Sequence, residues 1–579
     1  MMQTTEQVLT CDTNPWYQAA RMTALVGAGF TVIFTVLLVV NLFGSALIGP
    51  GRETRLAALK VQILREPDNQ ALLSEIRQLD LRIRRDRLWR LAFADTAAYV
   101  LLGSIVVLVV AGKLAHSINK KLPRPQPVLE RGEWQVREAK QARWGVVGGL
   151  TVVAVGMLLV GLTKWVSFLQ GGDGESAYAS PEERQQQWPR FRGPGGAGIS
   201  AYTNIPTSWN GKTGEGIAWK TPVPLKGHSS PVVWGDRVFL TGADPNARQV
   251  YCFDGKSGEL LWTGDVPTAP LPAGEVFEMN EDTGYACPTV ATDGRRLYAM
   301  FPTGDVAGFD FNGKRLWHKS LGRPDNAYGY ASSLETFQKL VLIDYDQSDG
   351  RDGKSRFFAL DGITGKVAWE AKRNLPSTWT SPIVVDVAGQ PQLITVADPN
   401  VVAYNPANGK ELWRAKCVGG DLAPSPIYAG GLVFAVQPFS QLVAIKPTGQ
   451  GDVTKTHIAW KGEDGIPDIC SPVSDGKYVY LLDSDGLITC YDLADGKKVY
   501  EQDLKEPCRA SPSIVGDKLY TLSLKGVMHI AQAGPEYTEL GKCELNEEFL
   551  ASPAFADGRI YLRGAKNLYC IGPAAAGAK

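Results

Sequence analysis

One pattern, repeated eight times, governs the second two-thirds of this 579-residue chain. In order, the copies read SSPVVWGDRVFL from Ser229, ACPTVATDGRRLYAM from Ala286, ASSLETFQKLVLI from Ala331 and TSPIVVDVAGQPQLIT from Thr380. Then follow PSPIYAGGLVFAV from Pro424, CSPVSDGKYVYLL from Cys470, ASPSIVGDKLYTL from Ala510 and ASPAFADGRIYLR from Ala551. Pro231, Pro288, Pro382, Pro426, Pro472, Pro512 and Pro553 mark seven copies, and Ser333 is read as taking the proline's place in the third. The copies are 40 to 57 residues apart, the spacing of propeller blades.

A second half-motif follows most copies: YCFDGKSGELLW (251–262), GFDFNGKRLW (308–317), ALDGITGKVAW (359–369) and AYNPANGKELW (403–413), with weaker forms HIAW (457–460) and CYDLADGKKVY (490–500). This is a hairpin. An apolar strand ends in Asp or Asn, a turn carries Gly beside Asn or Asp, which tolerate positive φ, and an outer strand ends in Trp. Trp219, Trp262, Trp317, Trp369, Trp413 and Trp460 are expected to fill the gaps between blades. The eighth copy stops at Ile571-Gly572 without its outer strand, whereas Gly216–Lys220, ahead of the first copy, is an outer strand without a blade. Joining them closes a ring and protects the sheet edges. The fold class expected is an all-β, eight-bladed β-propeller; a merged blade would give seven.

The front third differs. Thr23–Ile48, Leu91–Gly112 and Gly145–Thr163 are apolar stretches, each with the ~20 residues that cross a bilayer. They predict an α-helical membrane region of three transmembrane helices over 1–170. Between the first two, Leu56, Leu59 and Ile63 precede Pro67, and Leu72, Ile76, Leu79 and Ile83 follow at heptad spacing. That pattern predicts a helical hairpin over 51–90. A linker over 171–187 then leads to the propeller, 188–579. Both 51–90 and 113–143 are basic, so the charge rule gives no orientation.

Lys plus Arg and Asp plus Glu number 60 each, which removes the basic excess that nucleic-acid binding requires. The nine cysteines form no CxxC and no adjacent pair, so neither a zinc site nor a disulfide framework is indicated. Cys252, Cys490 and Cys570 share one repeat position and read as small buried side chains. Cys470 and Cys508, near equivalent points of neighbouring copies, leave a pairing open. Asp344, Asp346 and Asp349 miss the spacing of a calcium loop and read as a polar hairpin tip. P-loop, GxSxG, HExxH and CxxCH motifs are absent from the sequence, so nucleotide-hydrolase, α/β-hydrolase, zincin and c-haem chemistry lack support.

The repeat resembles the PQQ-binding-like β-propeller repeats of quinoprotein dehydrogenases and of the propeller lipoprotein of the BAM complex. The stretch WPRFRGPGG from Trp188, followed by GHSSPVVWGDRVFL, resembles membrane or secreted propellers of planctomycete-type bacteria. The quinoprotein resemblance implies PQQ on the axis, stacked on a Trp and often against a vicinal disulfide, with Ca²⁺ held by Glu, Asn and Asp. This sequence lacks adjacent cysteines and the long loops that roof such a site. Trp379 is the aromatic face it would offer.

Residues just before each Ser-Pro are expected to gather on one face. They include Glu281, Asp282, Asp325, Asp421, Asp468, Glu506, Glu547 and Glu548, with His228 and Arg509 as counterpoint; together they predict an acidic rim able to hold a cation or a basic partner. The reading is a multi-pass protein of the cytoplasmic membrane with a periplasmic propeller, the side resting on the resemblance. It binds protein partners of the cell envelope as a non-catalytic scaffold, with no cofactor. The alternatives are a PQQ- and Ca-dependent dehydrogenase and a saccharide- or polymer-binding module.

Overall fold

The computed structural model describes residues 15–48, 97, 100, 101, 103–115, 177–268 and 279–573. The chain divides into two compact units, Met1–Gly174 and Glu175–Lys579.

In the first unit, α1 (Pro15–Ile48) is a helix of 34 residues. Its stretch Trp16–Leu37 is 22 residues of mean hydropathy 1.7, about 33 Å at 1.5 Å per residue. Leu25, Phe30, Val32, Ile33 and Val36 are exposed, so apolar side chains face outward on several sides. A shorter apolar helix, α2 (Gly103–Ala115), is the described part of the second stretch. The two meet where Thr31 Oγ1 and Ser104 Oγ share a hydrogen bond of 2.9 Å. Among the described residues one helix, not three, is long and apolar enough to span a membrane. The third stretch and the 51–90 hairpin lie outside the described residues.

The second unit is the propeller, with eight sheets. Blade 1 comprises Val232–Trp234, Arg237–Ala243, Arg248–Asp254 and Leu260–Asp265, antiparallel and in that order from the axis outward. Blades 2 to 7 follow at 291–320, 335–372, 383–416, 427–462, 473–503 and 513–544. Blade 8 takes three strands from 554–571, and its outer strand is Ile217–Pro222, paired with Asn567–Ile571 so that Trp219 faces Cys570. The closure expected from the two chain ends is therefore formed.

The repeated serine explains how eight blades form one ring. Ser230 N–H donates to Thr289 Oγ1 (2.9 Å), Thr289 to Ser333 (3.1 Å), Ser333 to Ser381 (2.9 Å) and Ser381 to Ser425 (2.8 Å). Ser425 continues to Ser471 (2.9 Å), Ser471 to Ser511, Ser511 to Ser552, and Ser552 back to Ser230 (each 3.0 Å). Each backbone donor, buried beside the axis, is satisfied by the next blade's hydroxyl. The ring corrects two readings of the repeat. Ser333 is a ring serine, and Leu334 occupies the proline position of blade 3. In blade 2 the ring residue is Thr289, so Pro288 falls one residue early.

The tryptophans bridge neighbouring blades. The indole N–H of Trp219, Trp262, Trp317, Trp369 and Trp460 donates to a carbonyl in the next blade's outer turn, respectively Gly255, Phe311, Gly362, Pro406 and Leu493. Trp413 departs from this. Blade 5 carries a longer outer turn, and Trp413 donates to Gln392, whose amide reaches Pro447. Blade 6 places Tyr500 at this position and blade 7 places Gly541. There Trp209, 5% exposed, packs into the same core from the segment before blade 8's outer strand.

The described cysteines of the propeller are all free, Cys470 and Cys508 included. Asp344 and Asp346 are not a hairpin tip. Both are buried, Asp344 on the second strand of blade 3 and Asp346 just past its end, 3.1 Å and 3.0 Å from Arg373.

Candidate functional site

Strand direction gives the disc two faces. One carries the turns between first and second and between third and fourth strands; the other carries the crossovers between blades and the turns between second and third strands.

The first face is closed on the axis by the chain itself. The segment read as a linker is described from residue 177, where it packs on the blades. α3 (Pro181–Gln185) is capped by Ser180 with Glu183 in a capping box, and Arg184 bonds to Thr292 O and Thr336 Oγ1. Trp188 then exchanges backbone hydrogen bonds with Val233 of blade 1. Arg190 donates to Pro382 O at 2.7 Å and lies 3.2 Å from Glu335. Arg192 donates to Ser471 O (3.3 Å), Pro472 O (2.5 Å) and Pro512 O (3.2 Å). Beyond it, Ile199–Ser200 joins blade 7 in parallel. Trp188, Arg190 and Arg192 are 1%, 0% and 2% exposed, so they fill the axis. Gly196 makes this tight path feasible: it sits at φ +67, and a Cβ there would come 2.4 Å from Arg190 Nη1. The WPRFRGPGG motif is a stopper, and burial without a carboxylate lowers Arg192's pKa to about 9.

The opposite face keeps an open mouth. Two residues before each ring serine or threonine stand His228, Cys287, Ala331, Trp379, Ala423, Ile469, Arg509 and Leu550. All eight reach solvent, and the residue after each is buried in every blade. His228, Trp379 and Arg509 were legible as candidates; Cys287, Ala331, Ala423, Ile469 and Leu550 were not. Counting from the ring serine instead of the proline finds all eight.

Trp379 is half-buried, donates to Gly329 O at 3.0 Å and meets Tyr328 edge-on at 5.1 Å. Arg509 donates to Ser484 O and Cys508 O. His228 is depressed below its usual pKa by burial and then by Arg563, so it is neutral at pH 7. Cys287 keeps part of its surface exposed, and desolvation of its thiol pushes its pKa up to about 12.

The acidic candidates do not line this ring. Asp282 and Asp421 are exposed, and Asp325 is an exposed partner of Lys354 at 3.4 Å. Asp468 accepts from Ser484. Glu506 lies 3.0 Å from Lys542 and 3.8 Å from His529. Glu547 is structural: it accepts from Lys566 N, Asn567 N and Nδ2, and Tyr569 Oη. Burial opposes its charge, but these bonds outweigh burial and hold its pKa low.

The mouth offers no carboxylate at its ring level, and among the described residues no three His, Cys, Asp or Glu gather to hold a metal. Trp379 is committed to Tyr328 and Gly329. These residues do not fit a calcium-held quinone.

Known proteins share the fold. The quinohemoprotein alcohol dehydrogenase of Comamonas testosteroni superposes with a TM-score of 0.51 at 14% identity, over 68% of this chain and 82% of that one. BamB of Moraxella catarrhalis gives 0.45 at 14% identity, over 62% and 99%. The tetrathionate hydrolase of Acidithiobacillus ferrooxidans is 24% identical over 247 residues, 41% of this chain and 46% of that protein. The chain thus spans about half the length of that curated relative. A family match covers residues 199–342, 336–502 and 452–534, more than half of the chain, and on that span the chain belongs to the family described as outer membrane protein assembly factor BamB.

Proposed function

We propose that this protein is a membrane-tethered, non-catalytic docking module of the cell envelope, with α1 as a tether and the crossover face of the propeller as the surface that receives a protein partner. One observation carries the reading. Phe439, in the turn between the second and third strands of blade 5, is 83% exposed and held at φ +58. An aromatic residue in that backbone region is strained, and strain retained on an exposed apolar tip is a mark of a working surface. Ile469 and Tyr328, each 42% exposed, lie on the same face. Family membership supports the reading, since the family is described by an assembly role. Three membrane spans and a periplasmic propeller belong to this proposal.

A photo-crosslinking residue at Phe439 tests it, with Lys497 on the opposite face as control. The expected result is a discrete adduct in native membranes from position 439, absent from 497 and lost when Ile469 is changed to Asp. Equal labelling from both faces would remove the basis for the assignment. The dehydrogenase alternative makes a different demand: the same preparation must bind PQQ with Ca²⁺ saturably.

A further inference from the structure

Arg563 is an exception in the repeat. It lies on the second strand of blade 8, two residues after Tyr561. The equivalent residues in blades 1 to 7 are Thr241, Met300, Asp344, Val396, Val436, Leu482 and Leu522. Only Asp344 and Arg563 are charged there. Asp344 has Arg373 as counter-ion at 3.1 Å, whereas Arg563 has no carboxylate in ion-pair range among the described residues.

Arg563 is 2% exposed, and its guanidinium uses one nitrogen. Nη1 donates to Ser229 O (3.3 Å), Ser229 Oγ (2.5 Å) and Thr241 O (2.6 Å). Nε and Nη2 have no protein acceptor among the described residues, and neither is sealed from solvent. These two form the side edge of the guanidinium, where parallel N–H bonds match two oxygens of one oxyanion. Gly227 lies against that edge; a Cβ there would come 2.7 Å from Nη2. Around it stand His228 and Cys287, neighbours on the mouth ring and both solvent-accessible. Burial lowers the pKa of Arg563 to about 10, so it is still a cation at neutral pH. Asp282 and Glu548 act on His228 but are not among the charges that act on Arg563.

A buried cation without a counter-ion is costly unless something supplies the charge. We propose that the mouth at the seam of blades 8, 1 and 2 binds a free small oxyanion of the carboxylate or sulfate class, forked by Arg563 Nε and Nη2 and walled by Gly227, His228 and Cys287. The site is independent of the partner-docking role, since Phe439 and Ile469 belong to blades 5 and 6.

The test is calorimetric titration of the full chain in detergent with oxalate and, separately, with sulfate. One saturable site with a Kd of about 1 mM or tighter is expected. Gly227→Ala crowds Nη2, and Arg563→Lys keeps the charge but loses the fork; each should weaken oxalate at least ~10-fold, about 1.4 kcal/mol. A second measurement does not depend on Arg563 variants folding. Cys287 is the one described cysteine that is not buried, so in a Cys11→Ser background oxalate should slow its maleimide labelling at pH 8.5. No saturable heat up to roughly 20 mM, or affinity and labelling unchanged by Gly227→Ala and by oxalate respectively, would overturn the proposal.

Discussion

Ser552 N–H donates to Ser230 Oγ at 3.0 Å across 322 residues of sequence. This bond joins the last blade to the first, as the outer strand Ile217–Pro222 does at the rim. Ser230→Ala leaves the Ser552 amide buried without an acceptor, which costs about 1–3 kcal/mol. Ser425→Ala orphans Ser381 N–H in the same way. Both variants are expected to lower the midpoint of urea unfolding by comparable amounts. A loss under about 0.5 kcal/mol in either would mean that the ring bonds contribute little.

The tryptophan bridges give a sharper contrast. Gly409 sits at φ +71, and a Cβ there would come 2.4 Å from the Trp369 ring. Gly322 sits at φ +88 with nothing within 4 Å. Both alanine substitutions meet the backbone penalty of about 1 kcal/mol; only Gly409→Ala adds overpacking of ~1–3 kcal/mol. Thermal unfolding of the two variants should rank Gly409→Ala clearly lower, and equal melting temperatures would count against the bridge.

The ring was legible because its signals are local and repeated: a turn glycine, a tryptophan and a serine at fixed offsets. Blade number and closure by Trp219 followed from counting. The stopper was not legible, because Arg190 and Arg192 act on Pro382, Pro472 and Pro512, hundreds of residues away, and a WPRFRGPGG run carries no sign of what it enters. The mouth was half legible. His228, Trp379 and Arg509 stand at the right register, but Pro288 misaligned blade 2 and hid Cys287. The acidic candidates failed for a physical reason: a carboxylate in a crossover such as Glu547 finds backbone donors within its own blade before it finds the axis.

The stopper makes its own prediction. Arg190 and Glu335 are a buried pair at 3.2 Å, and Glu335 also accepts from Thr336 N and Val384 N. Glu335→Ala strands the Arg190 charge and should cost about 3–5 kcal/mol. The double variant Arg190→Met with Glu335→Ala should recover part of that loss, because the Arg190 charge is removed with its partner; the rest stays lost, because Arg184, 3.7 Å from Glu335, still loses that carboxylate. A double-mutant cycle by chemical denaturation measures this, and strict additivity would show that the two side chains do not act as a pair.

Asp346 gives the pH test. Burial, opposed by Arg373, raises its pKa well above the usual carboxylate value, and Asp344 beside it adds to the shift. With Asp346 protonated, one carboxylate, that of Asp344, faces one guanidinium and the cluster is neutral. The folded state therefore holds a proton that the unfolded chain releases above about pH 4. Asp346's contribution to stability is full below that pH and is lost as pH rises towards its folded pKa. Asp346→Asn keeps the shape and removes the titration. Relative to wild type, the variant should gain stability in urea unfolding as pH rises above about 4, until the pH passes the raised folded pKa. Parallel pH profiles for the two proteins would place Asp346 in its charged form throughout and reverse this assignment.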